Sequence, residues 1–233
     1  MSPGLKVFLS STSIDLTPHR AKVRDIVDRL SQVSVCMETF GARPTSPLET
    51  CRQAVQRADA LVVLVGHRYG WIPSTDEGGD GEKSITWWEV QWARDAGKPV
   101  YAYLVDPLAP WPGEREQDRL LQATSAEARD EVGRAVASLL AFREFLDTKT
   151  TRELFTSSDD LGGKVATSLH HWLLAEHMKI APTSGGSTST SPPSGAAFPN
   201  RNQSPFPGLR AYTPDDAPMF FGRDRERISW WRG

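Results

Sequence analysis

The chain has 233 residues, of which 39 % are hydrophobic and 24 % charged, with a net charge of −2. That composition excludes a wholly disordered or collagen-like protein, and the near-neutral balance argues against nucleic acid or membrane partners held by charge alone. Two cysteines, Cys36 and Cys51, cannot build a disulfide framework. The longest apolar stretch, Ala60–Val65, is far short of the roughly 20 residues of a membrane span. No signal peptide is visible at Met1–Lys6, so a cytoplasmic protein is expected.

In chain order, Lys6–Leu9 reads as a short strand broken by Ser10, Ser11 and Thr12. Leu16–Ser31 places Val23, Ile26, Val27 and Leu30 on one helical face, with Asp15 or Thr17 as its cap. Val33–Met37 is strand-like. Pro47–Arg57 reads as a helix with Ser46 as cap and Pro47 in the first turn. Ala60–Val65, ended by Gly66, has the unbroken apolar character of a strand buried on both faces. His67–Lys83 is a Gly-rich, acidic loop. Ser84–Ala96 is a helix stopped by Gly97, and Pro99–Val105 a further buried strand. Asp106–Asp130 gives no clear reading. Glu131–Phe145 is helical, Thr150–Phe155 a last strand, and Leu161–Leu173 the apolar stripe of a last helix.

The folded part is thus residues 1–181. A Pro-, Ser-, Thr- and Gly-rich stretch, 182–205, has too little apolar surface to order itself and is expected to be a flexible linker. The aromatic-rich segment 206–233 is too short to fold alone.

Alternation of strand and helix predicts an α/β fold, an open, mostly parallel five-stranded sheet with helices on both faces. A flavodoxin-like strand order, 2-1-3-4-5, is expected. Ligands of such sheets sit beyond the carboxyl ends of the strands, where the winding reverses between the first and third strands. The loops there are Ser10–Asp15 and Gly66–Trp71, and the helix carrying Glu89 starts beside them. Ser10, Ser11, Asp15, Arg68, Tyr69 and Glu89 are therefore expected around one crevice.

Glu89 stands in the early turns of its helix beside Trp87, Trp88 and Trp92. A carboxylate in an aromatic pocket has a raised pKa and serves as acid, base or nucleophile. One such group can stabilise or trap the oxocarbenium-like state of N-glycosidic cleavage. The other reading is an acid that complements the helix dipole. Ser10, Ser11, Thr12 and Asp15 either hold ribose or phosphate or cap the next helix. Arg68 and Tyr69 either grip an anion and stack on a base or belong to a solvated loop. The five histidines have no metal-ligand spacing with the cysteines, and no metal site is expected. No Gly-x-x-x-x-Gly-Lys-Ser/Thr phosphate loop is present.

Four stretches taken together resemble a known family: Val7–Thr12 with Asp15, Leu16 and Arg20; Ala58–Gly66 leading to Arg68, Tyr69 and Gly70; Ser84–Glu89 with Gly97–Val100; and Phe155–Leu169. The set resembles an uncharacterised TIR-like, nucleoside-deoxyribosyltransferase-like domain found at the N-terminus of bacterial STAND (NACHT-like) NTPases. Phe206–Tyr212 and Pro218–Asp224 are similar to the entry of the NTPase module itself, so 206–233 is expected to be its truncated start. The resemblance implies a catalytic Glu at the position of Glu89. From their places around the reversal point, substrate-binding roles are expected for Ser10, Ser11, Thr12, Asp15, Gly66, Arg68, Tyr69, Trp71 and Thr86. The resemblance departs in detail, since Val90 and Gln91 follow Glu89 and Trp87–Trp88 precedes it.

Two functions follow as expectations. The first is an immune-type effector that cleaves NAD or a nucleotide when oligomerised. No cofactor is expected in this segment, and ATP only in the NTPase part. The second is a non-catalytic module for self-association. Expected partners are other copies, the NTPase domain in cis and a protein trigger.

Overall fold

The computed structural model describes residues 4–12 and 14–180, which belong to one compact unit, Met1–Pro182. The expected linker and the segment 206–233 lie outside the described residues.

Five strands form a single parallel sheet in the order β2-β1-β3-β4-β5, the expected flavodoxin-like winding. They are β1 (Lys6–Ser11), β2 (Val33–Val35), β3 (Ala60–Val65), β4 (Val100–Val105) and β5 (Arg152–Phe155). The helices are α1 (Thr17–Arg29), α2 (Pro47–Arg57), α3 (Ile85–Asp95), α4 (Glu116–Gln122), α5 (Ala126–Lys149) and α6 (Ser158–Ile180).

Strand periodicity sorts the core into two layers. Ala60, Val62 and Leu64 of β3 pack with Val23 and Val27 of α1 and Leu161, Val165 and Leu169 of α6. Leu61, Val63 and Val65 pack on the other face with Val55, Val90, Leu139 and Phe142 of α2, α3 and α5. All six residues of β3 are buried, as its unbroken apolar run requires.

Local chemistry starts the helices that frame the site. Ser46 accepts a hydrogen bond from the Glu49 N–H ahead of Pro47, and Ser84 accepts one from Trp87 N–H. Gly97, at φ +67°, follows α3 where a left-handed residue closes the last turn. α1 has no side-chain cap, its N-cap being Leu16. Asp15 and Thr17 therefore do not fill that role.

Three further expectations need correction. β1 extends two residues beyond Leu9, because Ser10 pairs with Val63 and Ser11 with Leu64 in the β1–β3 ladder. The second strand stops at Val35, and Met37–Thr39 turns as a short 3₁₀ segment. The unclear stretch 106–130 holds α4 and the start of α5, the latter capped by Ser125. Among the described residues no helix is long and apolar enough to cross a membrane.

Candidate active site

The reversal of winding between β1 and β3 opens a crevice of about 490 Å³ at the carboxyl ends of these strands. That volume is within the range of small-molecule sites. Its wall includes Ser11, Thr12, Arg20, Glu38, Arg68, Gly70, Trp71, Thr86 and Glu89.

Strand alternation aims the two serines of β1 in opposite directions. Ser10 shares the face of Phe8 and meets α3, where its hydroxyl donates to Glu89 Oε2 at 2.6 Å. Ser11 turns toward α1, where its carbonyl and hydroxyl accept from Arg20. The inward stripe of α3 is Thr86, Glu89, Val90 and Ala93, at helical spacing, so a carboxylate occupies a core position.

Glu89 is only 3 % exposed. Burial pushes its carboxyl up to about 7 from the ordinary 4.5, against the opposing hydrogen bonds of Ser10 and Cys51 and the charge of Arg20. Cys51 of α2 is buried too, and its thiol is raised by burial and by the neighbouring Glu89. A carboxyl poised near neutral pH can act in either protonation state under ordinary conditions.

A second carboxylate lies in the same wall. Arg20 Nε donates to Glu38 Oε1 at 2.9 Å and Arg20 Nη2 to Glu38 Oε2 at 2.5 Å, a two-pronged pair. Arg20 is buried while the Glu38 side chain remains 44 % exposed. Desolvation pushes Glu38 up, yet the Arg20 hydrogen bonds and a backbone N–H outweigh it and hold the carboxyl below its usual range. The crevice thus contains two acids whose surroundings drive them apart.

The far rim is built around Arg68. Its guanidinium donates to Glu116 Oε1 at 3.2 Å and to Glu114 Oε2 at 3.1 Å. Glu116 is buried, and its carboxylate also accepts from Tyr69 N–H and Arg119. Behind this loop, Asp15 accepts from the backbone N–H groups of His67 and Arg68 at 3.0 and 3.2 Å and from the Thr12 hydroxyl. Two carboxylates therefore lock the loop from both sides. Gly66 is required there, because a Cβ would strike the Asp15 carboxylate.

A family model described as a domain of unknown function, DUF4062, matches residues 6–170. The chain belongs to this family. No curated protein matches the sequence. Among solved structures, the TIR domains of the activated Roq1 resistosome, which directly recognises the pathogen effector XopQ, are 12 % identical. That match covers 73 % of this chain and 99 % of theirs, with a TM-score of 0.43. The Clostridium botulinum CMP N-glycosidase BcmB is 11 % identical over 70 % of this chain and 98 % of its own, with a TM-score of 0.38. At these values the likeness is loose, and the chemistry of the DUF4062 crevice is read from its own geometry.

In this DUF4062 domain the residues named from sequence divide into three groups. Ser11, Thr12, Arg68, Trp71, Thr86 and Glu89 line the crevice. Ser10 lies directly behind it on Glu89, while Asp15 and Gly66 form the support beneath the loop. Tyr69 is placed elsewhere than expected. It is 2 % exposed, in the core beneath α3, with its hydroxyl donating to Glu82 C=O and accepting from Ser84 N–H. It anchors the start of α3 and does not line the crevice, whereas Trp71, which does, is 37 % exposed.

The tryptophans of α3 also depart from expectation. Trp87 packs on Phe142 and Phe145, and Trp88 stacks on Trp92. Glu89 owes its raised pKa to burial, with Ser10 and Cys51 as its hydrogen-bond partners. Arg20 and Glu38 were not assigned to the site. Arg20 had a legible signal, since it shares the apolar face of Val23 and Val27 at i+3 and i+7. Glu38 had none, because its partner is 18 residues away. Among the described residues, no cluster of three or more His, Cys, Asp or Glu side chains is placed to hold a metal ion.

Proposed function

We propose that this domain cleaves the N-glycosidic bond of NAD or of a nucleotide, with Glu89 as the catalytic carboxylate. One observation carries the reading. A buried glutamate, poised near pH 7 and held by Ser10, stands in the wall of an open crevice at the reversal point of the sheet.

The chemistry follows from that placement. The C1′–N bond of the substrate breaks and its electron pair leaves with the base. Positive charge develops on the sugar ring. The ionised Glu89, shielded from water, stabilises that cation or traps it as a glycosyl ester. Water then adds at C1′ and gives its hydroxyl to the sugar. The remaining proton passes to the base of a neutral nucleotide, or to solvent when the pyridinium of NAD departs as neutral nicotinamide. Trp71 and Ile14 offer an apolar wall for the base.

The motifs at Phe206–Tyr212 and Pro218–Asp224 support the further reading of an effector attached to a STAND NTPase, which binds ATP and clusters the domains to activate them. A second reading, a non-catalytic self-association module, is favoured by Leu108 and Leu121. These are exposed apolar side chains on the segment between β4 and α5. One experiment separates the two. The full chain, free and fused to an oligomerising tag, is incubated with NAD and a nucleotide panel, and products are separated by chromatography. Release of nicotinamide or a free base, lost in Glu89→Gln, is the expected result. No release from the clustered protein overturns the glycosidase reading.

A further inference from the structure

The second carboxylate of the crevice has no role in the reaction just described, yet it is costly to place. Arg20, buried in the α1 layer, spends four of its contacts on holding two things still: the end of β1 through Ser11, and the carboxylate of Glu38 through both prongs. The arrangement fixes an ionised, half-exposed acceptor in the crevice wall. Each Glu38 oxygen takes one Arg20 hydrogen bond, and the carboxylate, also approached by its own backbone N–H and the Cys36 thiol, keeps an exposed edge toward the crevice.

The position of that acceptor relative to Glu89 limits what it meets. Ser10 and Ser11 are consecutive; one binds Glu89 and the other binds Arg20, which binds Glu38. Glu38 is thus set across the β1 end from Glu89, within electrostatic reach of it. A substrate with its reacting sugar carbon at Glu89 brings the ring hydroxyls toward Glu38. A phosphate offers no donor to this paired carboxylate, whereas a sugar hydroxyl does. Topology points the same way. In α/β sheets that bind dinucleotides, an acid beyond the second strand hydrogen-bonds the ribose hydroxyl, and Glu38 follows β2 by three residues.

On this basis, which rests on the glycosidase reading, we infer that the Arg20-held Glu38 carboxylate receives the vicinal hydroxyls of ribose and makes the crevice selective for ribonucleotides over 2′-deoxyribonucleotides. A hydroxyl donating to a carboxylate forms a charge-assisted bond. Its loss in the deoxy form weakens binding by roughly tenfold or more.

The test is calorimetric titration of the full chain with paired ribo and 2′-deoxy 5′-monophosphates of the four bases, using Glu89→Gln to prevent turnover, with and without Glu38→Gln. The expected result is at least one pair with a ribo preference of tenfold or more that falls toward one in Glu38→Gln. Should Glu38→Gln fail to fold, Glu38→Asp keeps the charge but withdraws it by one methylene, and the preference must still fall. Nucleotides that bind with a ratio near one, or a preference that survives both substitutions, overturn the inference and leave the glycosidase reading standing. Absence of any binding, together with absence of product from the wild-type chain, overturns both.

Discussion

Two regions at the carboxyl end of the sheet solve the burial of titratable groups in opposite ways. In the crevice, Glu89 is buried with hydrogen bonds from Ser10 and Cys51, and the half-exposed Glu38 is paired with the buried Arg20. Around Trp111, between β4 and α4, His19 and His67 are packed against the indole at ring distances of 5.4 and 5.0 Å. There, among the described residues, His19 Nδ1, His67 Nε2 and Trp111 Nε1 make no protein hydrogen bond. Desolvation lowers both histidines, His67 to about 4 with help from Arg115 and Arg143 and against Asp118, and His19 against Asp15. The crevice keeps a proton within reach of use, whereas the histidine cluster suppresses one. A polar group with partners in the wall of a crevice reads as chemistry, and a polar group without them reads as packing.

The two regions also tilt stability with pH in opposite directions, and that opposition can be broken one side at a time. The largest expected effect is on catalysis. Glu89→Gln lowers turnover of any substrate identified by the product assay by about 10³-fold or more, and the wild-type rate rises with pH through an apparent pKa near 7, read from kcat/KM profiles.

The next effect is on folding. The folded state holds the Glu89 proton up to about 7, the unfolded chain only to 4.5, so Glu89 costs stability progressively as pH rises through that window, by about 3 kcal/mol at its upper end. The melting temperature of Glu89→Gln relative to wild type should therefore climb by several degrees between pH 5 and pH 8. A constant difference across that range would show that the carboxyl is not desolvated.

His67 acts with the reverse sign. Its ring is held neutral in the folded state to about 4 but titrates at 6.5 when unfolded. The stability it contributes is complete above 6.5 and is lost as pH falls toward 4, by about 3 kcal/mol. His67→Phe keeps the ring packing on Trp111 and should remove this acid sensitivity in melts at pH 4.5 and pH 7.

The smallest expected effect sharpens the contrast from outside both regions. Ser46→Ala deletes the cap of α2 and should cost about 1 kcal/mol at every pH, without altering either slope.

The fold was largely legible. The all-apolar run of β3, the Ser46–Pro47 start of α2 and the Ser84 cap of α3 are local signals, and their spacing places the reversal point between β1 and β3. Glu89 was legible as a candidate because it stands in the early turns of a helix that starts beside that reversal point. The rest of the site was not. Whether Ser10 ends a strand or continues it depends on β3 offering Val63 and Leu64 as partners. Whether the α3 tryptophans surround Glu89 depends on α5 presenting Phe142 and Phe145 to Trp87.

From sequence alone, periodicity, caps and breakers determine the elements and their order, because those forces act within a few residues of the chain. The tertiary structure alone decides the electrostatics of the crevice. Ser10 reaches Glu89 across 79 positions and Arg20 reaches Glu38 across 18. Burial by residues from α2, α3 and β1 together lifts one carboxyl, and one buried guanidinium holds the other down. A pKa belongs to the surroundings of a group, and those surroundings exist only once distant segments have packed.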